Sequence, residues 1–487
     1  MTHPVLLFAL PLLAAFLLPV VWRASPAAGR LFGPLVLAVN VVIGLLAWDD
    51  VAGQALVIAL GGFQPPFGIA FYIDRLALLF AVAVSLAILL LWPAGRDGDG
   101  AVREATLTLV LAAAGTGLAM SGDLFNIYVF YELTAVASYG LAAARGTGAG
   151  YAATMRFVVI GSFGAALMLI GVALVYQAAG TLNLAQLAQV APGTLDGPLG
   201  LAAFVFMLFG AGVKAELFPV NTWVPEVYGA ASKRVAGLLA GIISKLALLI
   251  ILRLLVLVFQ HAEAQQILLL LGVAGVITGE LAAWRARDLT RMLAYSSIGQ
   301  LGVMFIAFSI PGEAGVFAGL AVALHHMVVK PALFLLAGRW GGAVERLDGA
   351  AQASPLAAAL FILLALSLIG IPPLPGFWAK FLVVSSALAQ PGAAHAFAAA
   401  AILFAAVVEA SYLFRVVARL YRRLPAARLP QAPGRRDLAV GSLLGAGLVA
   451  AVLWLAPVGD GLRGIAAEAA DRDGYIRAVN PAVELLP

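Results

Sequence analysis

The chain contains no cysteine among its 487 residues. Thiolate-held zinc, iron–sulfur clusters and disulfide bonds are therefore excluded within it, and any electron transfer would have to occur in another subunit. Charged residues are also scarce, at 11%, whereas 63% of the residues are hydrophobic and the mean hydropathy is +1.03. A soluble domain of this size could not cover so much apolar surface with so few charges. This composition excludes an ordinary soluble protein.

What the chain has in abundance is long apolar runs, which recur from its first residues to about residue 457. Each is long enough for the roughly 20 residues that cross a bilayer. Only helices and closed barrels satisfy the backbone in lipid, and these Leu/Ala-rich runs do not alternate, so they indicate helices. The first run has no basic start and no A-x-A cleavage site, which favours a retained helix over a signal peptide. The sequence predicts an all-α polytopic membrane protein with about fourteen transmembrane helices, at 3–22, 31–48, 70–93, 104–121, 124–144, 152–178, 199–219, 235–259, 266–285, 290–310, 315–338, 354–387, 396–421 and 438–457.

The basic residues fall in alternate loops between these runs. The set comprises Arg23, Arg30, Arg96, Arg103, Arg145, Lys233, Arg234, Arg285, Arg287, Arg339, Arg346 and the cluster from Arg419 to Arg436. By the positive-inside rule these loops are cytoplasmic. We therefore expect a multi-pass protein of the inner (plasma) membrane with both termini on the outer side. Asp74 and Asp123 then lie at outer helix ends, where we expect them to be solvated and to matter little for transport.

Several ionisable residues lie far from the predicted helix ends. Glu132 follows Asp123 by nine residues, and is therefore about 13 Å deeper at 1.5 Å per residue. An ionised group at the bilayer centre costs at least about 2.5–3.5 kcal/mol on insertion scales, so such groups are expected to pair or to line water. The candidate proton-relay residues are Glu132, Lys214, Lys245, His325, His326, Lys330 and Lys380, with Glu216 and Glu409 as additional candidates.

One proline and one proline cluster each interrupt a predicted helix close to one of these lysines. In "GAGVKAELFPVNTWVPEVYG", Pro219 follows Lys214 by five residues, and Pro375 in "GIPPLPGFWAKF" precedes Lys380 by five. Proline removes an internal hydrogen bond, and broken backbone at membrane depth is tolerated where protein or a water-filled cavity satisfies it. Paired broken helices in two halves point to an inverted repeat around a transport site.

This symmetry predicts two inverted five-helix repeats, formed by the fourth to eighth and by the ninth to thirteenth helices, with the seventh and twelfth helices broken. The predicted division of the chain is 1–103 for helices 1–3, 104–259 and 266–421 for the two repeats, and 438–487 for helix 14 and an outer tail. A buried lysine keeps its proton while a carboxylate is near and releases it when the carboxylate withdraws, and histidine titrates near neutral pH. The buried residues therefore predict a proton relay.

At these residues the chain resembles the proton-antiporter-like membrane subunits shared by respiratory complex I, membrane-bound hydrogenases and Mrp-type cation/proton antiporters. The resemblance covers essentially the whole chain. It is carried by "GDLFNIYVFYEL", "GVKAELFPVNTWVPEVY", "DLTRMLAYSSIGQLG", "HHMVVKPALFLL" and "GIPPLPGFWAKF", in the family's order. The segment "GGFQPPFGIAFYIDRLALLF" is most similar to the D subunit of Mrp antiporters and its hydrogenase counterpart.

The resemblance implies a role for most of the candidate residues. Glu132 and Lys214 would form the ion pair that gates proton transfer, with Lys245 as the relay lysine and Lys380 as the terminal lysine. On the eleventh helix the family places a histidine four or five residues before a lysine. Both His326 and His325 have such a spacing from Lys330, and the choice stays open. Glu409 has no assigned place in the family pattern.

One further position bears on the type of complex. Complex I relatives tend to have histidine where this chain has Asn221, which argues against a complex I assignment.

The favoured function is a non-enzymatic, proton-translocating subunit of a multisubunit monovalent cation (Na⁺)/proton antiporter. The first alternative is a proton-pumping subunit of a redox-driven complex, of hydrogenase or NADH/quinone oxidoreductase type. The second is a proton-conducting partner of an ion-gradient-driven uptake complex. The expected partners are other membrane subunits, protons, monovalent cations and the lipid bilayer, with no nucleic acid, no metal site and no cofactor.

Overall fold

The computed structural model describes residues 3–66, 68–93, 98–425 and 429–479. Arg96 and the last eight residues of the predicted outer tail, 480–487, lie outside these ranges. The helices are α1 (Leu6–Ala24), α2 (Pro26–Leu46), α3 (Arg75–Leu90), α4 (Asp99–Met120), α5 (Leu124–Ala143), α6 (Gly148–Ala179), α7 (Leu184–Thr194), α8 (Pro198–Lys214), α9 (Val224–Ala230), α10 (Lys233–Leu238), α11 (Ser244–Leu257), α12 (Ala262–Arg285), α13 (Leu289–Phe308), α14 (Glu313–Trp340), α15 (Ala350–Ala353), α16 (Pro355–Ile369), α17 (Pro375–Leu388), α18 (Ala393–Leu420), α19 (Arg435–Leu453), α20 (Leu455–Ala470) and α21 (Arg472–Val479). One antiparallel hairpin pairs β1 (Leu56–Ala59) with β2 (Ala70–Ile73).

The predicted polytopic helical fold is confirmed. Ten helices in the described residues are long and apolar enough to cross a membrane, with α10 and α11 forming one of them. The other predicted spans coincide with α3, α5, α8 and the broken pair α16/α17. Large apolar side chains such as Phe16, Leu31 and Val407 are exposed, as expected of helix faces that contact lipid.

Some predicted boundaries were wrong. The span predicted at 70–93 starts instead with strand β2, and α3 begins at Arg75 because Asp74 caps it by accepting a hydrogen bond from the Ala77 amide. The span predicted at 199–219 ends at Lys214. A proline ring clashes with the carbonyl four residues earlier, so Pro219 prevents the helix from continuing through residue 215.

Several other helices were not predicted. Helices α7 and α9 occupy segments predicted to be loops, and α20 and α21 lie in or extend into the segment predicted to be a tail. These helices are short or relatively polar, and a search for bilayer-length apolar runs does not detect them.

The described chain forms two compact units. Unit 1 comprises the described residues of 1–215, 242–264 and 465–487, and unit 2 comprises those of 216–241 and 265–464. The division into four segments inferred from the sequence stays a prediction.

In unit 1, glycines bring α6 and α8 into close contact. A Cβ atom at Gly210 would lie 2.7 Å from the Met168 amide nitrogen and 2.8 Å from the Gly164 carbonyl oxygen. Small residues allow this backbone approach between membrane helices. The contact fixes the position of the last turn of α8, which ends at Lys214.

In unit 2, glycines bring α12 and α13 together in the same way. A Cβ at Gly279 would lie 2.5 Å from the Gly299 amide nitrogen, and a Cβ at Gly302 would lie 2.6 Å from the Gly272 carbonyl oxygen. The polar residues of α12 and α13 are therefore held on closely packed helices.

Similar local structure begins the second helix of each predicted repeat. Asp123 caps α5 and forms an isolated bridge with Asn183, while Asp288 caps α13 and forms an isolated bridge with Ala343. In each predicted repeat, the second transmembrane helix after the capped helix is broken. These broken helices are α8 after α5 and the pair α16/α17 after α13. A duplicated five-helix element predicts such a correspondence.

Candidate functional site

Glu132 and Lys214 lie next to each other in unit 1. Lys214 Nζ is 3.8 Å from Glu132 Oε1, with side-chain exposures of 1% for Lys214 and 35% for Glu132. The distance is short enough for an ion pair but longer than a charge-assisted hydrogen bond. This is a buried ammonium with a loosely held carboxylate beside it.

Tyr131 holds Lys214 in place by three contacts with the last turn of α8. The Tyr131 hydroxyl donates to the Gly210 carbonyl, one turn before Lys214, at 2.6 Å. Lys214 Nζ donates to the Tyr131 carbonyl at 2.9 Å and lies 2.9 Å from the centre of the Tyr131 ring. The carbonyl and the ring face stabilise the ammonium without neutralising it, so Glu132 is the charged partner that can vary.

The loop after the α8 break holds Glu216 in unit 2. Glu216 is 1% exposed and accepts a hydrogen bond of 2.6 Å from the Tyr228 hydroxyl. Its backbone has φ 57°, in the left-handed region, which is sparsely populated by side-chain-bearing residues and costs of the order of 1–3 kcal/mol. Asn221 Nδ2 donates to the Glu216 carbonyl at 3.1 Å and stabilises this conformation.

Lys245 follows an irregular segment. Residues Leu239–Ile243 form a π-helical turn between α10 and α11, and such turns are frequent at functional sites. Lys245 is fully buried, and its Nζ donates to the Ser244 hydroxyl at 3.1 Å.

The two histidines of α14 have different surroundings. His325 Nε2 is 2.8 Å from the Ser367 hydroxyl of α16. A Cβ at Gly376 would lie 2.8 Å from the His325 ring, so that glycine leaves room for the histidine at the α16/α17 break. His326 is fully buried. The contact with the break favours His325 as the histidine linked to the Lys380 region, but the choice between the two stays a prediction.

A second lysine–glutamate pair lies in unit 2. Lys380 Nζ is 2.6 Å from Glu409 Oε2, and Glu409 is fully buried. Gln300 donates to both Glu409 carboxylate oxygens at 3.1 Å. Ser296 donates to Glu409 Oε1 at 3.3 Å and accepts from Lys330 Nζ at 2.7 Å. Glu409 therefore connects Lys380 to Lys330 through one serine hydroxyl.

The α16/α17 break supplies the remaining contacts of Lys380. Its ammonium donates to the Leu368 carbonyl at 2.7 Å and to the Ile369 carbonyl at 3.3 Å. These carbonyls are at the C-terminal end of α16, where they have no intrahelical partner and where the helix dipole favours a cation. The break thus positions the lysine.

Sequence reasoning missed several polar residues of this cluster. Ser296 and Gln300 have the i, i+4 spacing that places two side chains on one helix face, and that spacing in "YSSIGQLG" was the available signal. Tyr412 and Glu280 were also missed as site residues. Glu280 is 2% exposed and accepts from the Tyr412 hydroxyl at 2.9 Å, so it is not the solvated residue that its place near a helix end suggests.

The expectation that Asp74 is solvated was wrong. Asp74 is 5% exposed, and its Oδ2 is 2.6 Å from Arg253 of α11. Arg253 lies 5.5 Å from the ring centres of Tyr72 and Tyr475, which stack at 3.8 Å. Burial, and next the charge of Asp74, raise the pKa of the Tyr72 hydroxyl. This cluster ties α21 to α3 and α11 within unit 1.

Each unit therefore contains a largely buried lysine with a glutamate beside it. The distances differ, at 3.8 Å for Lys214–Glu132 and 2.6 Å for Lys380–Glu409. Chemically, both can exchange a proton between an amine and a carboxylate, and the unit 2 pair is continued by the hydroxyl of Ser296 to Lys330. Among the described residues no group of three or more histidine, aspartate or glutamate side chains is arranged to hold a metal ion.

The chain is similar over most of its length to several known proteins. Residues 121–408 match the family model described as "NADH:quinone oxidoreductase/Mrp antiporter, TM". The N subunit of NADH-quinone oxidoreductase from Desulforudis audaxviator is 33% identical over 455 residues, which cover 89% of this chain and 90% of that protein. The D subunit of the Na(+)/H(+) antiporter from Alkalihalophilus pseudofirmus is 33% identical over 355 residues, covering 70% and 72%. A chain of the membrane-bound sulfane sulfur reductase, an archaeal respiratory membrane complex, has a TM-score of 0.92 and 29% identity, with 98% of this chain and 100% of that chain covered.

Proposed function

This chain belongs to the NADH:quinone oxidoreductase/Mrp antiporter family of transmembrane proteins, and we propose that it is a proton-translocating subunit of a multisubunit Na⁺/proton antiporter. The observation that carries the proposal is the buried ammonium of Lys214, with the half-exposed Glu132 carboxylate 3.8 Å away. Relatives named as the D subunit of a Na(+)/H(+) antiporter support the antiporter assignment.

Proton movement in unit 1 depends on the distance between Glu132 and Lys214. While the carboxylate stays close, the buried ammonium is stabilised. When the carboxylate moves away, only the neutral contacts with Tyr131 remain, and Lys214 gives up its proton. Lys245, beside a π-helical turn in the same unit, is the next proton acceptor in this proposal.

Proton movement in unit 2 uses a continuous set of polar groups. Lys330 donates to Ser296, Ser296 to Glu409, and Glu409 is paired with Lys380. We assign Lys380 and Glu409 the same reaction as Lys214 and Glu132, with proton exchange between the amine and the carboxylate. His325, which contacts Ser367 at the broken helix, is the favoured histidine of this path.

The proposal includes assembly with other membrane subunits and a defined orientation in the membrane. Relatives described as subunits, and a structural neighbour from a respiratory membrane complex, support an assembly with other membrane subunits. The basic residues in alternate loops support both termini on the outer side of the inner membrane.

The test uses the complete complex in everted membrane vesicles, in which respiration acidifies the interior. Addition of Na⁺ to the wild-type complex is expected to dissipate the pH gradient. Glu132→Gln and Lys214→Ala are each expected to abolish this response while the complex stays assembled. Glu313→Gln, at the exposed start of α14, is the matched control and is expected to behave as wild type. Full activity of either pair variant would exclude the ion-pair mechanism.

A redox-driven complex is the second candidate. The match to the N subunit of a quinone oxidoreductase covers more of this chain, 89%, than the match to the antiporter's D subunit, 70%. In the same vesicles, a redox-driven complex would acidify the interior when its electron donor is added. It would not respond to Na⁺ alone. Proton pumping that is lost in Glu132→Gln, without a Na⁺ response in wild type, would assign the chain to this second class.

A further inference from the structure

Unit 2 contains a buried carboxyl group that the proposed relay does not use. Glu280 of α12 is 2% exposed, and its polar contact among the described residues is the hydroxyl of Tyr412, at 2.9 Å. An ionised carboxylate is costly to bury without a cation. Glu280 is therefore suited to take up and release a proton rather than to carry a fixed charge.

A chain of hydrogen bonds connects Glu280 with the Lys380–Glu409 pair. Tyr412 donates to Glu280, and the Ser296 side chain lies within hydrogen-bonding reach of the Tyr412 hydroxyl. Ser296 in turn donates to Glu409 Oε1 at 3.3 Å, and Glu409 is 2.6 Å from Lys380. Tyr412 and Ser296 are thus hydroxyl groups that lie between two buried carboxyl groups.

Glu280 lies near the C-terminal end of α12, which borders an open cavity. Trp284 follows Glu280 by four residues on α12, which places it on the same face about 6 Å further along the helix. Arg415 follows Tyr412 by three residues on α18 and donates to the Trp284 carbonyl at 2.8 Å. Trp284 and Arg415 line an open cavity of about 390 Å³, together with residues 285–287, 344, 345 and 419. Glu280 and Tyr412 therefore lie one helical turn inside this cavity.

The packing between α12 and α13 leaves room for the Glu280 carboxyl group. A Cβ added at Gly299 of α13 would collide with Glu280 Oε1. The glycine thus opens a niche for a carboxyl group between two closely packed helices. A purely apolar contact between α12 and α13 would not require this niche, because the glycines at 272, 275, 279 and 302 already allow the approach.

We propose that Glu280 and Tyr412 form a proton branch between this cavity and the Lys380–Glu409 pair, which deepens the proposed function and rests on it. A proton from cavity water binds the Glu280 carboxylate. Glu280 then donates to the Tyr412 oxygen while the Tyr412 hydroxyl proton passes to Ser296, and the Ser296 proton passes to Glu409. Each hydroxyl gains one proton and loses one, so the net transfer is one proton from Glu280 to Glu409. The reverse sequence releases a proton to the cavity.

The first test measures Na⁺-dependent proton transport of the whole complex in everted vesicles, normalised to assembled complex. Glu280→Gln keeps the shape and an acceptor for Tyr412 but removes the titrating group. Loss of a positioned acid–base group lowers rates by about 10²–10⁴-fold, and we expect at least about a tenfold loss. Tyr412→Phe is expected to lower transport similarly. The controls are Glu263→Gln on α12 and Tyr421→Phe directly after α18, both at exposed positions.

The second test measures access from water and uses the absence of native cysteine in the chain. Glu280→Cys is expected to react with a membrane-impermeant thiol reagent added on the side of the Arg415 cavity. Glu345→Cys, at the cavity lining, is the positive control for labelling. A structural role for Glu280 predicts no such reaction.

The outcomes separate this inference from the proposed function. The branch would be overturned if Glu132→Gln is inactive and Glu280→Gln keeps at least about a third of wild-type transport in the same assay. A general acid–base group contributes far more than a threefold change in rate. Lack of labelling at Glu280→Cys, with Glu345→Cys labelled, would also overturn the branch. If Glu132→Gln is itself fully active, the proposed function fails instead. Reduced transport together with labelling supports the branch.

Discussion

Lys380 offers the sharpest test of a relay lysine against a fixed charge. Its three ammonium protons have three acceptors: Glu409 at 2.6 Å, the Leu368 carbonyl at 2.7 Å and the Ile369 carbonyl at 3.3 Å. Lys380→Arg keeps the positive charge and part of these contacts. Arginine stays protonated at any accessible pH, so a relay is expected to stop while the structural roles are preserved.

The structure also predicts the order of stabilities. Lys380→Met removes the cation from fully buried Glu409, and breaking a buried pair in this way typically costs about 3–5 kcal/mol. The double variant Lys380→Met/Glu409→Gln removes the stranded charge, and Gln300 keeps an amide acceptor. We expect the double variant to be more stable than Lys380→Met alone, with Lys380→Arg closest to wild type.

Transport is measured in everted vesicles, and stability is measured on the complex purified from the same membranes. Sodium-driven proton exchange in everted vesicles is expected to be lost in Lys380→Arg, Lys380→Met and the double variant. Thermal denaturation is expected to rank Lys380→Met lowest. Near-normal exchange by Lys380→Arg would refute the relay, because a fixed charge would then be sufficient. A double variant no more stable than Lys380→Met would refute the assignment of the cost to unpaired Glu409.

Two further predictions concern the end of unit 1 that carries the hairpin. Burial raises the pKa of Asp123 despite hydrogen bonds from the Phe125 and Asn126 amides. Ionisation of Asp123 at neutral pH therefore destabilises the folded state. Asparagine caps a helix as well as aspartate does, so Asp123→Asn is expected to retain transport and thermal stability. Loss of transport at normal expression would instead show that the transport path includes Asp123. Asp74→Asn leaves Arg253 buried without its carboxylate and is expected to destabilise the complex by about 3–5 kcal/mol, measured as a lower denaturation temperature. An unchanged temperature would show that the pair is not stabilising.

The sequence located the ionisable residues that lie at membrane depth, because any charge within an apolar run is conspicuous. Glu132 and Lys214 could be paired in advance through opposite charge, depth and family resemblance. Their distance and the reciprocal contacts of Tyr131 could not be predicted, since they depend on how α5 packs against α8. Asp74 shows the opposite error: its position at a helix end indicated solvent, but Arg253, 179 residues away, lies 2.6 Å from it.

Hydropathy and proline placement by themselves determined the polytopic helical fold and the two broken helices, because lipid leaves the backbone few alternatives. Only the tertiary structure decided which carboxylate faces which cation. Glu409 had no assigned place in the family pattern, and it meets Lys380 because α17 and α18 pack together after the α16/α17 break. Glu280 looked like a residue near a helix end, yet the glycine contact between α12 and α13 buries it against Tyr412. Local sequence fixes the depth of a charge along its own helix, whereas its partner depends on helix rotation and packing, which are set by residues far away in the chain.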